Sequence, residues 1–324
     1  MNICFDKIRK KRIIEIRLTG AEYMSGVLKD KKAFAVFLLP GLLFYLFSVF
    51  YPIVDSIRLS TMKWNGIGVP EFVGLGNYTK LFGDKVFYQA FFNNLIYLVI
   101  VVLMQLTIGF VFAVLLTYMK RGVSFVKTLY YVPCIITTVA VTQLFRNIYS
   151  AQPQGLLNGV LEAVGLGGFA TSWLSNVKTA LACVSIPEGW RYTGMYMVIF
   201  YAALISLDPE VCEAAKVDGA NEWQTLIRIK IPMIKPILLL TLTMVMTGAL
   251  RGFDIPYILT NGGPGNVTEL LSTYMYKKAF GANKFGYGSA VAVFIIIESI
   301  LVVAILQMLF RERDTQTGKR RSRK

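Results

Sequence analysis

Six apolar blocks dominate this chain, at about residues 33–53, 91–118, 125–148, 179–206, 236–258 and 288–310. Each is long enough to cross a bilayer as a helix, which takes about 20 residues. In lipid, a backbone that does not pair with itself leaves polar groups costing several kcal/mol apiece, so each block is expected to be helical. The expected fold class is all-α: a polytopic membrane protein with six transmembrane helices. Composition agrees. With 55% apolar residues, 16% charged residues and a mean hydropathy of +0.55, a soluble domain of 324 residues would lack a polar surface.

The net charge of +15 would suggest nucleic acid in a soluble protein. Here the basic residues flank the apolar blocks, where they set topology and meet anionic headgroups of membrane lipids. No nucleic-acid partner is expected. With the N-terminus inside, the cytoplasmic segments 1–32, 119–127, 208–235 and 311–324 hold 9, 3, 4 and 7 Lys and Arg residues. The outer loops 54–90, 149–178 and 259–287 hold 4, 1 and 3. Both termini are therefore expected in the cytoplasm, which requires an even number of spans. The basic run Lys7–Arg12 precedes a block too long for a signal peptide, so 33–53 reads as a retained anchor. The chain divides into an N-terminal cytoplasmic segment 1–32, a membrane domain 33–310 and a basic tail 311–324.

Chemistry is scarce. Histidine is absent, which removes the usual general base and metal ligand, and Cys4, Cys134, Cys183 and Cys212 form no CxxC pair. No metal, cofactor or enzymatic role is expected. Gly165, Gly167 and Gly168 follow no strand and read as loop glycines. Gly318-Lys319 is followed by Arg320, so no phosphate-binding loop is present in the sequence.

The most informative stretch is 208–232, between spans four and five. Asp208 is suited to cap a helix with Pro209 at its first position and Glu210 at the positive end of the dipole. That helix runs through Glu213-Ala214-Ala215 and stops at Gly219, which tolerates the left-handed backbone of a helix end. Asn221, with Gln224 three residues on, resembles a capping box that starts a second helix, which Pro232 is expected to end. Ala214 and Ala215 leave a small face for a partner, with Glu213, Lys216 and Asp218 to fix its register. Local physics alone leaves this reading level with that of an amphipathic linker lying on the membrane.

The stretch resembles the EAA loop of permease subunits in type I ABC importers: Glu213-Ala214-Ala215, Gly219 and Ile229 fall at its spacing, and Ile231-Pro232 stands where Leu-Pro is usual. The resemblance extends over about 33–310, with a core at about 91–310. Phe72-Val73-Gly74-Leu75-Gly76-Asn77-Tyr78, the run from Phe253-Asp254 through Tyr257 to Asn266, and Phe285 to Ala290 are similar to segments of the maltose, multiple-sugar and glycerol-3-phosphate permease group. The resemblance implies a bacterial inner-membrane permease that forms half of a sugar or oligosaccharide pathway. It implies a second permease as heterodimer partner, two copies of a cytoplasmic ABC ATPase that binds the ATP, and an extracytoplasmic sugar-binding lipoprotein. Glu213, Ala214, Ala215 and Asp218 would then lie in the ATPase cleft, Gly219 would form the elbow, and Ile229 and Pro232 would anchor the second helix.

Ionisable residues within spans are expensive and face partners or cavities. Trp190, Arg191 and Tyr192 read equally as a sugar-binding group or as structure. Arg251 and Asp254, three apart, are candidates for the same path or for an ion pair. Glu188, paired with Arg191, and Glu298 read as structural. Glycerol-3-phosphate or an acidic oligosaccharide is the alternative substrate. A self-sufficient secondary transporter is the competing class, and it leaves the 208–232 grammar unexplained.

Overall fold

A computed structural model describes residues 31–310; most of segment 1–32 and all of the tail 311–324 lie outside the described residues. The chain separates into two compact units, one up to Arg58 and one from Leu59 onward. The first carries α1 (Ala35–Ser60), whose apolar side chains from Val36 to Ile57 are exposed along its length. In the bilayer such a surface meets acyl chains rather than water.

In the second unit, a two-residue ribbon comes first: β1 (Met62–Lys63) pairs antiparallel with β2 (Glu71–Phe72), Lys63 opposite Glu71. Then α2 (Gly76–Gly83) leads into α3 (Lys85–Tyr118). The helix α3 starts six residues before the apolar block because Asp84 caps it, accepting from the Val86 amide at 2.8 Å. At 1.5 Å per residue it is about 50 Å long and outruns the hydrocarbon core.

The third block is not one straight span. It forms α4 (Val123–Ile135) and α5 (Thr138–Ile148), bent 97° apart. Thr137 caps α5 across the break, accepting from the Ala140 amide at 3.4 Å. The fifth block is also interrupted. The helix α10 (Lys235–Leu250) stops, and α11 (Asp254–Thr260) restarts after Arg251-Gly252-Phe253. The loosened carbonyls are retaken by side chains, as a low-dielectric setting demands. Asn94 donates to the Leu250 carbonyl at 3.3 Å, and Arg146 donates to the Ile258 carbonyl at 2.7 Å.

Between these, α6 (Leu156–Ala163) lies in a loop, and α7 (Ala180–Ile205) runs unbroken through Pro187. The short α8 (Pro209–Val217) and α9 (Glu222–Thr225) follow α7. After α11 come α12 (Leu271–Tyr276) and α13 (Phe285–Phe310). Among the described residues, four helices are long and apolar enough to cross a membrane, or up to six if each bent pair is one span. Six is the expected number.

The core centres on α7, which packs against α3 and α4. Met197 and Phe200 are fully buried there beside Tyr97, Leu250 and Ile255. Lipid tails are as apolar as the helices, so close approach rather than water exclusion drives this packing. Gly194 is where α7 meets α4: a Cβ there would stand 1.8 Å from the Tyr130 carbonyl oxygen. A second cluster of Leu81, Phe87, Leu271, Tyr274 and Val291 ties α2, α3, α12 and α13 together.

Candidate functional site

The stretch after α7 folds as its local grammar predicts. The backbone bends 69° between α7 and α8. Asp208 accepts from the Glu210 amide at 3.0 Å, with Pro209 at the first helical position. At the far end, the Ala220 amide donates to the Ala215 carbonyl and the Gly219 amide to the Lys216 carbonyl. Those two bonds are a Schellman ending, which needs the left-handed φ of +85° found at Gly219. Asn221 and Gln224 then form a full capping box, at 2.8 and 3.0 Å. The result is a glycine elbow between two short helices.

Three features differ from expectation. Ala215 is buried against its own chain, so only Ala214 contributes a small exposed surface. Lys216 does not stand free: its ammonium lies 2.7 Å from Glu222, across the elbow. The hydrogen-bonded partner is the main cause that raises Lys216 and lowers Glu222 from their ordinary values, so both stay charged. Pro232 does not end the second helix. A wide turn over Leu226–Lys230 feeds Ile231–Met233, and the helix stops at Ile234 instead. The wider hydrogen-bond register of that turn takes up the conflict of a proline ring with the preceding turn.

Glu213, Ala214, Asp218 and Gly219 are exposed, as is Pro232, while Ile229 is half-buried. Sequence reasoning missed the two most exposed large apolar side chains here: Val217 is 88% exposed and Trp223 is 68% exposed. The sequence does not single them out, because the loop also carries Val211, Leu226, Ile227, Ile229 and Ile231, and only the fold decides which of these are covered.

Within the membrane region, Arg191 on α7 donates to the Thr138 hydroxyl at 2.7 Å, at the first residue of α5. Its guanidinium carbon lies 5.0 Å from the Tyr192 ring centre, and its Nε is buried without a partner. Trp190 meets Phe145 edge-on at 5.5 Å. Among the described residues no ion pair links Arg191 with Glu188 or Arg251 with Asp254. Arg191 reaches across to the broken span instead of pairing with Glu188. Arg251 and Asp254 are exposed at the break between α10 and α11. Beside that break, Phe253 stacks on Tyr257 at 5.0 Å, and Tyr276 of α12 packs against both at 5.2 Å. Tyr276 was invisible to sequence reasoning because the topology alone brings it to Phe253.

Near the start of α3, Asn93 donates to the carbonyls of Asn266 and Glu269, and Lys277 pairs with the buried Glu269 at 2.5 Å. Asp84 accepts from Tyr274 at 2.6 Å and from Lys278 at 3.1 Å. No group of acidic, cysteine or histidine side chains suited to a metal occurs among the described residues.

Broken and continuous apolar helices around an apolar core, with an exposed elbow after α7, define an integral membrane protein. The chain belongs to the family of binding-protein-dependent transport system inner membrane components, whose family model matches residues 123–314. It is 37% identical over 288 residues to the probable ABC transporter permease protein YurN of Bacillus subtilis, covering 88% of this chain and 96% of that one. It is 35% identical to the lactose transport system permease protein LacF of Rhizobium radiobacter, over 81% of this chain and 89% of that one. It is 30% identical to the arabinooligosaccharides transport system permease protein AraP of Bacillus subtilis, over 86% and 88%. Among solved structures, a bacterial alginate ABC transporter, crystallised with an alginate pentasaccharide-bound periplasmic protein, matches with a TM-score of 0.77. That match is at 23% identity and covers 91% of this chain and 98% of its own, and it shows a shared fold.

Proposed function

We propose that this chain is the membrane-spanning subunit of an ATP-driven sugar or oligosaccharide importer, forming half of the pathway beside a second permease. The observation that carries the reading is the elbow at 208–232, held at a fixed angle by its own caps and presenting Val217 and Trp223. A separate ATPase, in two copies, binds the ATP and grips this elbow on the cytoplasmic side, with both termini on that side. Motion imposed on α8 passes into α7, which is continuous, and through Arg191 to the broken span α4–α5. The relatives named for lactose and arabinooligosaccharides favour a neutral sugar, delivered by an extracytoplasmic binding lipoprotein. The aromatic shelf of Phe253, Tyr257 and Tyr276 suits the apolar face of a sugar ring.

The test is uptake of a labelled oligosaccharide by the complete complex in proteoliposomes. Uptake is expected only with ATP inside and binding protein outside, and uptake by this chain alone without ATP overturns the reading. Gly219→Val and Trp223→Ala are expected to lose the co-purifying ATPase while the membrane domain stays monodisperse. Val217→Cys in a background lacking other cysteines is expected to resist a membrane-impermeant thiol reagent applied outside intact cells. Labelling there places the elbow on the wrong face.

A further inference from the structure

A cavity of about 520 Å³ opens where the β1–β2 ribbon, α2 and the start of α13 come together. Its lining includes Lys63, Lys80, Lys278 and Lys284, with Trp64 and Tyr287 as aromatic walls. Two of the four lysines are engaged: Lys63 lies 3.6 Å from Glu71, and Lys278 lies 3.1 Å from Asp84. Lys80 and Lys284 are exposed and have no acidic partner among the described residues. The two carboxylates of the lining, Glu71 and Asp84, leave two positive charges over.

The depth of this cavity in the membrane follows from the chain itself. Asp84 immediately precedes α3 and Lys284 immediately precedes α13. Two membrane-length helices begin at its rim, which sets it at the watery edge of the acyl-chain region. Beside it Ile67 is 82% exposed and Val69 is 93% exposed, and Phe72 and Leu75 are also exposed. Free apolar side chains next to a basic cavity at span ends are the pattern of a segment lying in the headgroup layer. Trp64 has the amphipathic ring favoured at that level.

We propose that this cavity holds the headgroup of an acidic phospholipid, with the phosphate on Lys80 and Lys284 and the chains against the exposed rim. A free phosphate would use the lysines but would leave Ile67 and Val69 standing in water. The assignment does not depend on which side of the membrane the loop faces.

The test uses the complete transporter complex in detergent micelles containing equal amounts of phosphatidylglycerol and phosphatidylcholine, with retained lipid counted by native mass spectrometry. The wild-type complex is expected to retain phosphatidylglycerol in preference. Lys80→Gln with Lys284→Gln is expected to cut that preference about 25-fold, about fivefold for each lysine near the headgroups. Lys80→Arg with Lys284→Arg is expected to keep it, and added salt to weaken it. If the double glutamine variant does not assemble, Lys284→Gln alone gives the same reading at about fivefold. No preference in the wild type, or one that the glutamines leave unchanged, overturns the proposal. Complete displacement of the lipid by excess inorganic phosphate overturns it in favour of a small-anion site. Weakened capture of the extracytoplasmic binding protein with unchanged lipid retention overturns it in favour of a protein partner.

Discussion

Asp84 accepts hydrogen bonds from the Val86 amide, the Tyr274 hydroxyl and the Lys278 ammonium, so one carboxylate starts α3 and fastens it to α12 and the turn after it. Burial raises its pKa, but the bonds from Tyr274, Val86 and Lys278 together outweigh burial and hold it below 3.8. Because the folded value is the lower one, its stabilisation is complete above 3.8 and fades only as pH falls below that. Asp84→Ala is expected to cost about 2–3 kcal/mol, read as thermal unfolding in detergent, with the difference constant between about pH 5 and 8. Glu298 is the opposite case. The sequence reads it as a structural charge; both its carboxylate oxygens are buried without a partner, among Phe91, Leu95 and Phe294. An unpaired buried carboxyl is a cost. Glu298→Leu is expected to raise the stability of the isolated chain by about 1–3 kcal/mol; a loss would mean the carboxyl has a partner in the isolated fold. Arg191 and the caps at Asp208 and Asn221 were legible because their chemistry is local. The target of Arg191 was not, because Thr138 lies 53 positions away and only packing selects it.

At the scale of elements, the apolar blocks marked where helices lie but not how they break. The interruption after Leu250 falls at Arg251-Gly252, and the bend in the third block follows Pro133 and the pair Thr137-Thr138. Those are turn signals inside apolar runs, and hydropathy averages them away. Pro187 does not interrupt α7, as expected for the single block 179–206, and Gln105 donates to the Glu188 carbonyl beside it at 2.9 Å. The α4–α7 contact depends on one hydrogen atom's worth of room at Gly194. Gly194→Ala must push two backbones apart and is expected to destabilise by at least about 1–3 kcal/mol, seen as a lower unfolding temperature. Gly159→Ala, which meets nothing within 4 Å, is expected to leave it unchanged.

For the whole molecule, insertion is governed by where the lysines and arginines fall rather than by their total. The basic excess on segments 1–32, 119–127, 208–235 and 311–324 is expected to set the orientation. A green fluorescent protein fused after Lys324 is expected to fluoresce, and alkaline phosphatase inserted in the loop 149–178 to be active. The reverse pattern would invert the topology and detach the elbow from any cytoplasmic motor. Six spans were readable from length and hydropathy, and family from the spacing of Glu213, Gly219 and Ile229. The aromatic shelf and the basic cavity were not, because each is assembled from separate elements that only the fold brings together.

The Lys216–Glu222 contact has a bearing on assembly. Because the two short helices are already clipped to one another, whatever seats on Val217 and Trp223 finds a hook bent beforehand. Little freedom remains to be surrendered on docking, so the joint can engage quickly and transmit force without slack.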